Sequence, residues 1–322
     1  MQPVRIAVIG AGSFGRNHLR VLRNSPDAQL AAVVDTNPDR AAAASAEFGC
    51  RAVATLGELT GPIDAAVVAA PTTAHADVGC QLLENGIDVL VEKPIASDAA
   101  SARRLTDTAR QHGRILQVGH LERFNPAVMA LRRIRTTPLF FEVHRMSVFT
   151  PRSLDVDVVL DLMIHDVDVV LSLVGCPPEE IRAAGLPILT NKVDIANVRL
   201  AFPTGCIANL TASRVSTERV RKLRVFQPSQ YISLDYQRQD LLTFTVQEGP
   251  DGAAGNEIHC EAVTVEKSEP LKLELAAFIE SVATRSAPTV TGEEGLAALE
   301  VALDILAKIE EHTQRICEQL VR

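Results

Sequence analysis

The sequence predicts an α/β protein that begins with a doubly wound parallel sheet and continues into an α+β domain with a large, mostly antiparallel open sheet. Over the first 120 residues, short apolar runs alternate with amphipathic helical stretches, the order that places helices on both faces of parallel strands. A glycine-rich turn joins the first run to the first helix. From about residue 180, period-two stretches follow one another with short turns, which is typical of antiparallel strands.

The first strand and the turn after it carry the most specific motif. The apolar run 4–9 enters Gly10-Ala-Gly12-Ser-Phe-Gly15, which opens a helical stretch. In this setting Gly10 permits a tight turn, Gly12 lets a pyrophosphate approach the backbone, and Gly15 lets the helix pack on the strand. A purely structural glycine turn is the alternative, which the strand–turn–helix context disfavours. We predict a dinucleotide-binding Rossmann domain with cofactor contacts at Gly10, Gly12, Ser13, Phe14 and Gly15.

The end of the second strand indicates which dinucleotide is bound. The run 30–34 ends in Asp35, twenty residues after Gly15, where an acid accepts hydrogen bonds from the adenosine ribose hydroxyls. A carboxylate repels a 2′-phosphate, so we predict NAD. Arg40 could accommodate that phosphate, which leaves NADP open.

The fourth strand, 65–69, leads into Pro71-Thr72-Thr73-Ala74-His75 at the start of a helix. Open α/β sheets bind ligands at the carboxyl ends of their strands, so we predict cofactor contacts from Pro71, Thr72 and His75. For His75 a capping or packing role is the alternative.

The fifth strand, 88–92, ends on Glu92-Lys93-Pro94. Pro94 cannot donate to a sheet, so the strand stops there and delivers Lys93 to the same ligand-binding edge. We predict that Glu92 and Lys93 contact the cofactor. An ordinary solvated lysine at a strand end is the alternative. A helix over about 98–112 and a strand at 114–119 complete the domain, which we place at 1–120.

The second domain, 121–322, combines helices and strands, and we expect it to bind the substrate and to mediate oligomerisation. We predict a loop at the glycine-rich stretch 247–256 and a final helix that begins with a capping box, Thr291-Gly-Glu-Glu294. The apolar positions of that helix, which we assign to the core, are Leu296, Leu299, Leu303, Leu306 and Ile309. Strands are predicted at 138–146, 196–202, 206–213, 219–227, 231–236, 241–246 and 258–265.

One apolar helix, over 158–171, carries Asp161 and His165 four residues apart and so on one face. Buried polar groups are costly unless they are hydrogen-bonded. A satisfied core pair and a metal site are two interpretations, although no further ligand follows at motif spacing. The third is a catalytic pair, with His165 as a general base oriented by Asp161.

Composition excludes several other classes of protein. A formal net charge of -8 argues against non-specific binding to nucleic acid or anionic membranes. The six cysteines are scattered without a CxxC pair, as expected for reduced thiols and not for a zinc site or a disulfide framework. We predict no bound metal. The first residues do not resemble a secretory signal and no apolar stretch is long enough to span a bilayer, so we expect a cytoplasmic protein.

Gly10-Ala-Gly12-Ser-Phe-Gly15, Glu92-Lys93-Pro94 and the Asp161/His165 helix, in this order, resemble the Gfo/Idh/MocA oxidoreductases over essentially the whole chain. The resemblance implies NAD(P)-dependent oxidation or reduction of a sugar or cyclitol carbon, with a cis Lys93–Pro94 peptide. It also implies that Lys93, Asp161 and His165 are the catalytic residues.

Within the family, the motifs His120-Leu-Glu-Arg-Phe-Asn-Pro126, 161–166 and 221–226 are similar to the UDP-N-acetylglucosamine 3-dehydrogenases, which supply a 3-keto sugar nucleotide on the way to amide-linked lipid A. The residues expected at the substrate are Lys93, Arg123, Asn125, Asp161 and His165. Arg123 and the basic run Arg219, Arg221, Lys222 and Arg224 could bind a pyrophosphate. A solvated edge strand is the alternative for that run. A free-sugar or inositol dehydrogenase and a non-catalytic NAD or sugar sensor are the competing functions. Closed symmetric assembly is common, so we expect a homodimer or homotetramer.

Overall fold

The computed structural model describes residues 2–150, 156–248 and 256–320. These form two compact units, Met1–Leu121 with Glu269–Leu299 and Glu122–Ser268 with Glu300–Arg322. Residues 269–299 therefore group with the first unit although in sequence they lie between the two segments of the second unit. The roles that we predicted for the two domains remain predictions.

The first unit contains a six-stranded parallel sheet in the order β3-β2-β1-β4-β5-β6. Its strands are β1 (Val4–Ile9), β2 (Ala28–Val34), β3 (Arg51–Val53), β4 (Ala65–Val68), β5 (Asp88–Glu92) and β6 (Leu116–Gly119). Its first helices are α1 (Ser13–Arg23), α2 (Pro38–Phe48), α3 (His75–Glu84) and α4 (Ala99–Gln111). The order reverses beside β1, so the carboxyl ends of β1 and β4 flank a crevice of the kind in which such sheets bind ligands.

The central strands are apolar because both faces are covered. All four residues of β4 are completely buried, as are Val89, Leu90 and Val91 of β5. Continuous apolar runs of this kind are typical of parallel strands between two helical layers. The predicted parallel sheet is confirmed.

The second unit contains an eight-stranded sheet in the order β14-β13-β12-β11-β7-β10-β9-β8. Its strands are β7 (Phe140–Met146), β8 (Glu180–Leu186), β9 (Ile195–Ala201), β10 (Ile207–Ser213), β11 (Val220–Gln227), β12 (Gln230–Asp235), β13 (Asp240–Glu248) and β14 (Asn256–Val263). Neighbouring strands pair antiparallel except β7 with β10. The mostly antiparallel sheet is thus confirmed.

Two helices of this unit are α5 (Pro126–Arg133) and α6 (Ile164–Val174), and a π-helical turn, Val159–Met163, precedes α6. Burial alternates along β7, where Phe141, Val143 and Arg145 are buried. The face that carries these residues is the face on α6's side, because Arg145 is hydrogen-bonded to Asp166 of that helix. The helix predicted over 158–171 is not α-helical throughout, because its start is the π-helical turn Val159–Met163.

The last two helices are α7 (Pro270–Thr284), which was not predicted, and α8 (Gly292–Leu320). The predicted capping box is present: the Thr291 amide donates to Glu294 at 2.9 Å and the Glu294 amide to Thr291 Oγ1 at 3.2 Å. In α8, Leu299 and Ile309 are buried as predicted, whereas the other three leucines of the stripe are only half-buried. Ala298, Val301, Ala302 and Ile305 are buried as well, and a search for leucines does not find them. The two alanines allow close packing.

The segment 247–256 was predicted as a loop, and no helix was predicted to span a membrane. The strands β13 and β14 extend into the predicted loop at 247–256 from both sides, and 249–255 lie outside the described residues. Among the residues that the structure describes, no helix combines the length and the hydropathy needed to cross a bilayer.

Candidate active site

The glycine turn between β1 and α1 has the shape that a pyrophosphate requires. Gly10 has a φ of 100°, and a Cβ there would lie 2.6 Å from the Ala69 carbonyl oxygen. A Cβ on Gly15 would lie 1.8 Å from the Gly10 carbonyl oxygen. Around Gly12, by contrast, a Cβ would meet nothing within 4 Å, and this residue is the N-cap of α1. Open space thus lies at the positive end of a helix, where an anionic group is stabilised.

The neighbouring residues fit the adenosine half of the cofactor. Asp35 is 7% exposed and accepts hydrogen bonds from the amides of Ala11 and Asn37, both at 2.8 Å. Arg40 Nη2 lies 3.2 Å from Asp35 Oδ1. A carboxylate has about four acceptor positions, so ribose hydroxyls can still donate to Asp35. The predicted Ser13 and Phe14 are exposed in the first turn of α1, Phe14 to 60%.

At the end of β5 the Lys93–Pro94 peptide is cis, as the family resemblance implies. Lys93 is half-buried. The turn is joined to the end of β4 by His75, whose Nδ1 lies 2.9 Å from the Pro94 carbonyl oxygen and whose Nε2 lies 2.9 Å from the Ala70 carbonyl oxygen.

His75 is therefore placed differently from the cofactor contact that we predicted. Its side chain is 1% exposed and both ring nitrogens face backbone oxygens, so neither is available to a dinucleotide. Burial lowers the pKa of His75, although the hydrogen bonds to the Ala70 and Pro94 carbonyls oppose that shift. The residue connects two loops at the ligand edge of the sheet. Pro71 and Thr72, exposed and half-buried respectively, remain accessible at that edge.

Glu92 also makes contacts other than the predicted ones. Its Oε1 lies 2.7 Å from His18 Nε2, and its Oε2 accepts from the Lys93 amide at 3.2 Å. Burial alone would raise the pKa of Glu92, but the His18 hydrogen bond and the charges of His18 and Lys93 hold it below its usual value. His18 was not among the predicted site residues; the signal was a histidine on the buried side of α1, three residues after Gly15.

In the second unit, Asp161 lies in the π-helical turn and His165 in the first turn of α6, and both are half-buried. The turn is fixed at its start because the Val193 amide donates to Asp157 Oδ1 at 2.8 Å and the Val158 amide to the Val193 carbonyl oxygen at 2.9 Å. Single π turns inside helices occur frequently at functional sites.

A buried ionic network holds α6 directly after His165. Arg145 donates through Nε and Nη2 to the two oxygens of Asp166 at 2.6 and 2.8 Å, and through Nη1 to Glu122 at 2.9 Å. The Arg145 guanidinium also lies 5.0 Å from the centre of the Tyr236 ring. Although burial opposes it, the carboxylates of Asp166 and Glu122 raise the pKa of Arg145 well above its usual value. Burial raises the pKa of Asp166 despite Arg145.

Two residues predicted at the substrate, Arg123 and Asn125, are buried in the second unit, and their role at the substrate remains a prediction. Arg123 is 1% exposed and its Nη1 donates to Asp168 of α6 at 3.2 Å. Asn125 is 2% exposed; its Nδ2 donates to the Tyr236 carbonyl oxygen at 3.0 Å and its Oδ1 caps α5. Both side chains are thus occupied in the interior, a role that their short motif did not distinguish from ligand binding.

The basic run of β11 is divided between two faces of the sheet. Leu223 and Val225 are buried, so Arg221 lies on their face, which is the face of Arg145. Lys222 is exposed on the opposite face, where Arg224 donates to Glu142 at 2.8 Å. The edge-strand alternative is wrong, because β11 pairs with both β12 and β7. Arg219 is exposed and precedes the strand.

Comparisons with known proteins agree with this geometry. A family model described as "Oxidoreductase family, NAD-binding Rossmann fold" matches residues 4–120, and one described as "GFO/IDH/MocA C-terminal domain" matches 130–227. The chain belongs to the Gfo/Idh/MocA family. It is an NAD-binding oxidoreductase, and the glycine turn with Asp35 fits that cofactor.

Among the relatives of this family member is a UDP-N-acetylglucosamine 3-dehydrogenase from Acidithiobacillus ferrooxidans, 35% identical over 97% of this chain and 99% of the relative. A solved structure of that dehydrogenase superposes with a TM-score of 0.89 at 34% identity, covering 97% of this chain and 99% of the other. An inositol 2-dehydrogenase from Rhizobium meliloti is 27% identical over 97% of this chain and 98% of its own length.

Proposed function

We propose that this oxidoreductase oxidises the C3 hydroxyl of UDP-N-acetylglucosamine to the 3-keto sugar nucleotide with NAD. The observation that carries the proposal is the full-length similarity to the Acidithiobacillus ferrooxidans enzyme, in sequence and in fold. The inositol dehydrogenase is less similar over a comparable length.

In this proposal NAD supplies the hydride acceptor. His165 removes the proton from the C3 hydroxyl, and Asp161 holds the imidazole in the required orientation. Lys93 donates a hydrogen bond to the same oxygen and stabilises the negative charge that develops there. Support comes from the placement of each group: Lys93 follows the carboxyl end of a central parallel strand, and His165 follows a π turn in a helix fixed by buried ion pairs.

A nucleotide sugar is favoured over a free sugar by the position of Arg221. It stands directly opposite Arg145 across two paired strands, and like charges so placed are unfavourable. Arg145 is hydrogen-bonded to Asp166 and Glu122. Burial, followed by the charge of Arg145, lowers the pKa of Arg221, although the charges of Glu122 and Asp166 oppose that shift. An anionic group such as a pyrophosphate would relieve this repulsion.

The substrate test is a panel of UDP-sugars, free sugars and inositols given with NAD, followed by absorbance of the reduced nicotinamide and by product mass. Turnover confined to UDP-N-acetylglucosamine is expected. Turnover of inositol without turnover of the UDP-sugar would contradict the proposal and favour an inositol dehydrogenase.

A matched pair of variants tests the pyrophosphate contact. Arg221→Met should raise KM for the UDP-sugar by roughly ten- to a hundredfold, because a hydrogen bond to a charged group contributes about 1.5–3 kcal/mol. Lys222→Met, on the exposed face of the same strand, should leave KM unchanged. Equal effects of the two variants would remove Arg221 from the substrate site.

The same proposal extends to the setting of the enzyme. A 3-keto sugar nucleotide would be consumed by an aminotransferase on the way to amide-linked lipid A, a reaction of the cytoplasm. We also propose a homodimer or homotetramer, since symmetric association is common among soluble enzymes.

A further inference from the structure

Glu92, immediately before Lys93, is a point where several elements of the first unit converge. His18 reaches it from α1, and Gly119 of β6 leaves the space that its carboxylate occupies, because a Cβ on Gly119 would lie 3.2 Å from Glu92 Oε2. Glu274 reaches it from α7: one carboxyl oxygen of Glu274, one of Glu92 and one ring nitrogen of His18 all lie within 4.8 Å of one another.

Glu274 stands out because it is completely buried and neither of its carboxyl oxygens has a hydrogen-bond partner among the described residues. An ionised carboxylate in this position would be desolvated and would face the negative charge of Glu92. Burial and that charge raise the pKa of Glu274 well above its usual value. A protonated carboxyl group gains an O–H donor, and the neighbouring Glu92 carboxylate is a strong acceptor.

We propose that Glu274 is a neutral carboxylic acid at physiological pH that donates its O–H to Glu92, and that Glu274 and His18 are positioning residues for the turn that carries Lys93. The kinetic part of this inference rests on the proposed catalytic role of Lys93. The charged and titratable groups that face Glu92 are His18 of α1, His75 of α3, Glu274 of α7 and the adjacent Lys93. Two hydrogen-bond donors from separate helices thus hold one carboxylate, which in turn accepts from the Lys93 amide.

A metal ion is the competing occupant, since His18, Glu92 and Glu274 are the set of three potential ligands found among the described residues. The separation of 2.7 Å between His18 Nε2 and Glu92 Oε1 is the length of a charge-assisted hydrogen bond. Two ligand atoms of a tetrahedral ion, each at roughly 2.1 Å from the metal, lie about 3.4 Å apart. A hydrogen bond therefore fits the observed distance better than an ion does.

Infrared spectroscopy tests the protonation state without any substrate. The wild-type protein at pH 7 should show the carbonyl-stretch band of a protonated carboxylic acid, and the band should disappear in Glu274→Gln. The matched control is Glu269→Gln, at the exposed N-cap of the same helix, which should keep the band. Absence of the band from the wild type, a measurement that needs no variant to fold, overturns the proposal. So does a band that persists in Glu274→Gln, or a stoichiometric metal ion in the purified protein.

Kinetics test the positioning role. Glu274→Leu should lower kcat by about ten- to a hundredfold, because small displacements of a catalytic group are costly, and should change the Kd for NAD by less than about threefold. Glu274→Gln keeps a neutral donor and should recover kcat to within about fivefold of wild type. Likewise, the kcat of His18→Gln should be higher than the kcat of His18→Leu. If Glu274→Gln is as impaired as Glu274→Leu, the carboxyl group does not act as a neutral donor. A wild type without dehydrogenase activity would reject the proposed function, while the infrared result would still decide the state of Glu274.

Discussion

Replacement of Arg145 by Met should destabilise the second unit in a strongly pH-dependent manner. The guanidinium is 2% exposed and makes three hydrogen bonds to Asp166 and Glu122, so its removal leaves these carboxylates without their hydrogen-bonded cation. Removing one member of a buried ion pair costs about 3–5 kcal/mol. That cost is limited, since an unpaired Asp166 can take up a proton and so lose its buried charge.

The size of the pH effect follows from linkage. Burial already raises the pKa of Asp166 with Arg145 present, and without Arg145 the folded-state pKa rises further above the unfolded value of about 3.9. Between those two values the folded state binds more protons than the unfolded state, so stability falls as the pH rises. One proton corresponds to about 1.4 kcal/mol per pH unit. The variant should therefore be close to wild type near pH 5 and several kcal/mol less stable at pH 8.

Urea denaturation at several pH values measures this, with the same probe for both proteins. The control is Arg224→Met on the other face of the same sheet, whose ion pair with Glu142 is half-exposed and should be worth about 0–1 kcal/mol. A loss of stability in the Arg145 variant that is the same at pH 5 and pH 8, or no larger than that of the control, would refute the reasoning.

Three further predictions concern the cofactor and the proton acceptor. Gly15→Ala should abolish soluble folding or NAD binding, because its Cβ would overlap the Gly10 carbonyl oxygen. Gly12→Ala should keep the thermal midpoint within about 2 °C of wild type and still weaken NAD binding. Equal thermal midpoints for the two variants would contradict the turn geometry. Asp35→Ser should shift the ratio of the KM values for NAD and NADP toward NADP by about tenfold or more, since the repelling carboxylate is lost, and an unchanged ratio would exclude Asp35 from the ribose site. His165→Asn should lower kcat by about 10²- to 10⁴-fold with NAD affinity retained, and near-normal turnover would show that His165 is not the proton acceptor.

Short-range patterns accounted for the elements whose neighbours are close in sequence. The strand–glycine–helix motif at Gly10–Gly15 and the acid at the end of β2 are set by backbone geometry within a few residues, and the structure agrees with both. The alternation of β7 likewise follows from its own residues. The helix α7 was overlooked, although its apolar side is read from the same kind of periodicity.

Contacts between distant segments were beyond such patterns. His18 and Glu92 are 74 residues apart in sequence, and Arg145 meets partners from two other elements. Arg123 and Asn125 have the residue types of a ligand site, yet burial assigns them to the interior. Arg221 and Lys222 are adjacent in sequence and were predicted as one basic run, but their side chains lie on opposite faces of β11.

The amino-acid sequence alone thus determined the fold class, the cofactor and the residues proposed for the chemistry, because these depend on local backbone geometry and on residue type at fixed spacing. Only the tertiary structure decided which polar side chains are free for ligands and which are held by buried partners. The physical reason is that the cost of burying a charge depends on what surrounds it in space, and the surroundings of Glu92 and Arg145 come from segments far apart in the chain.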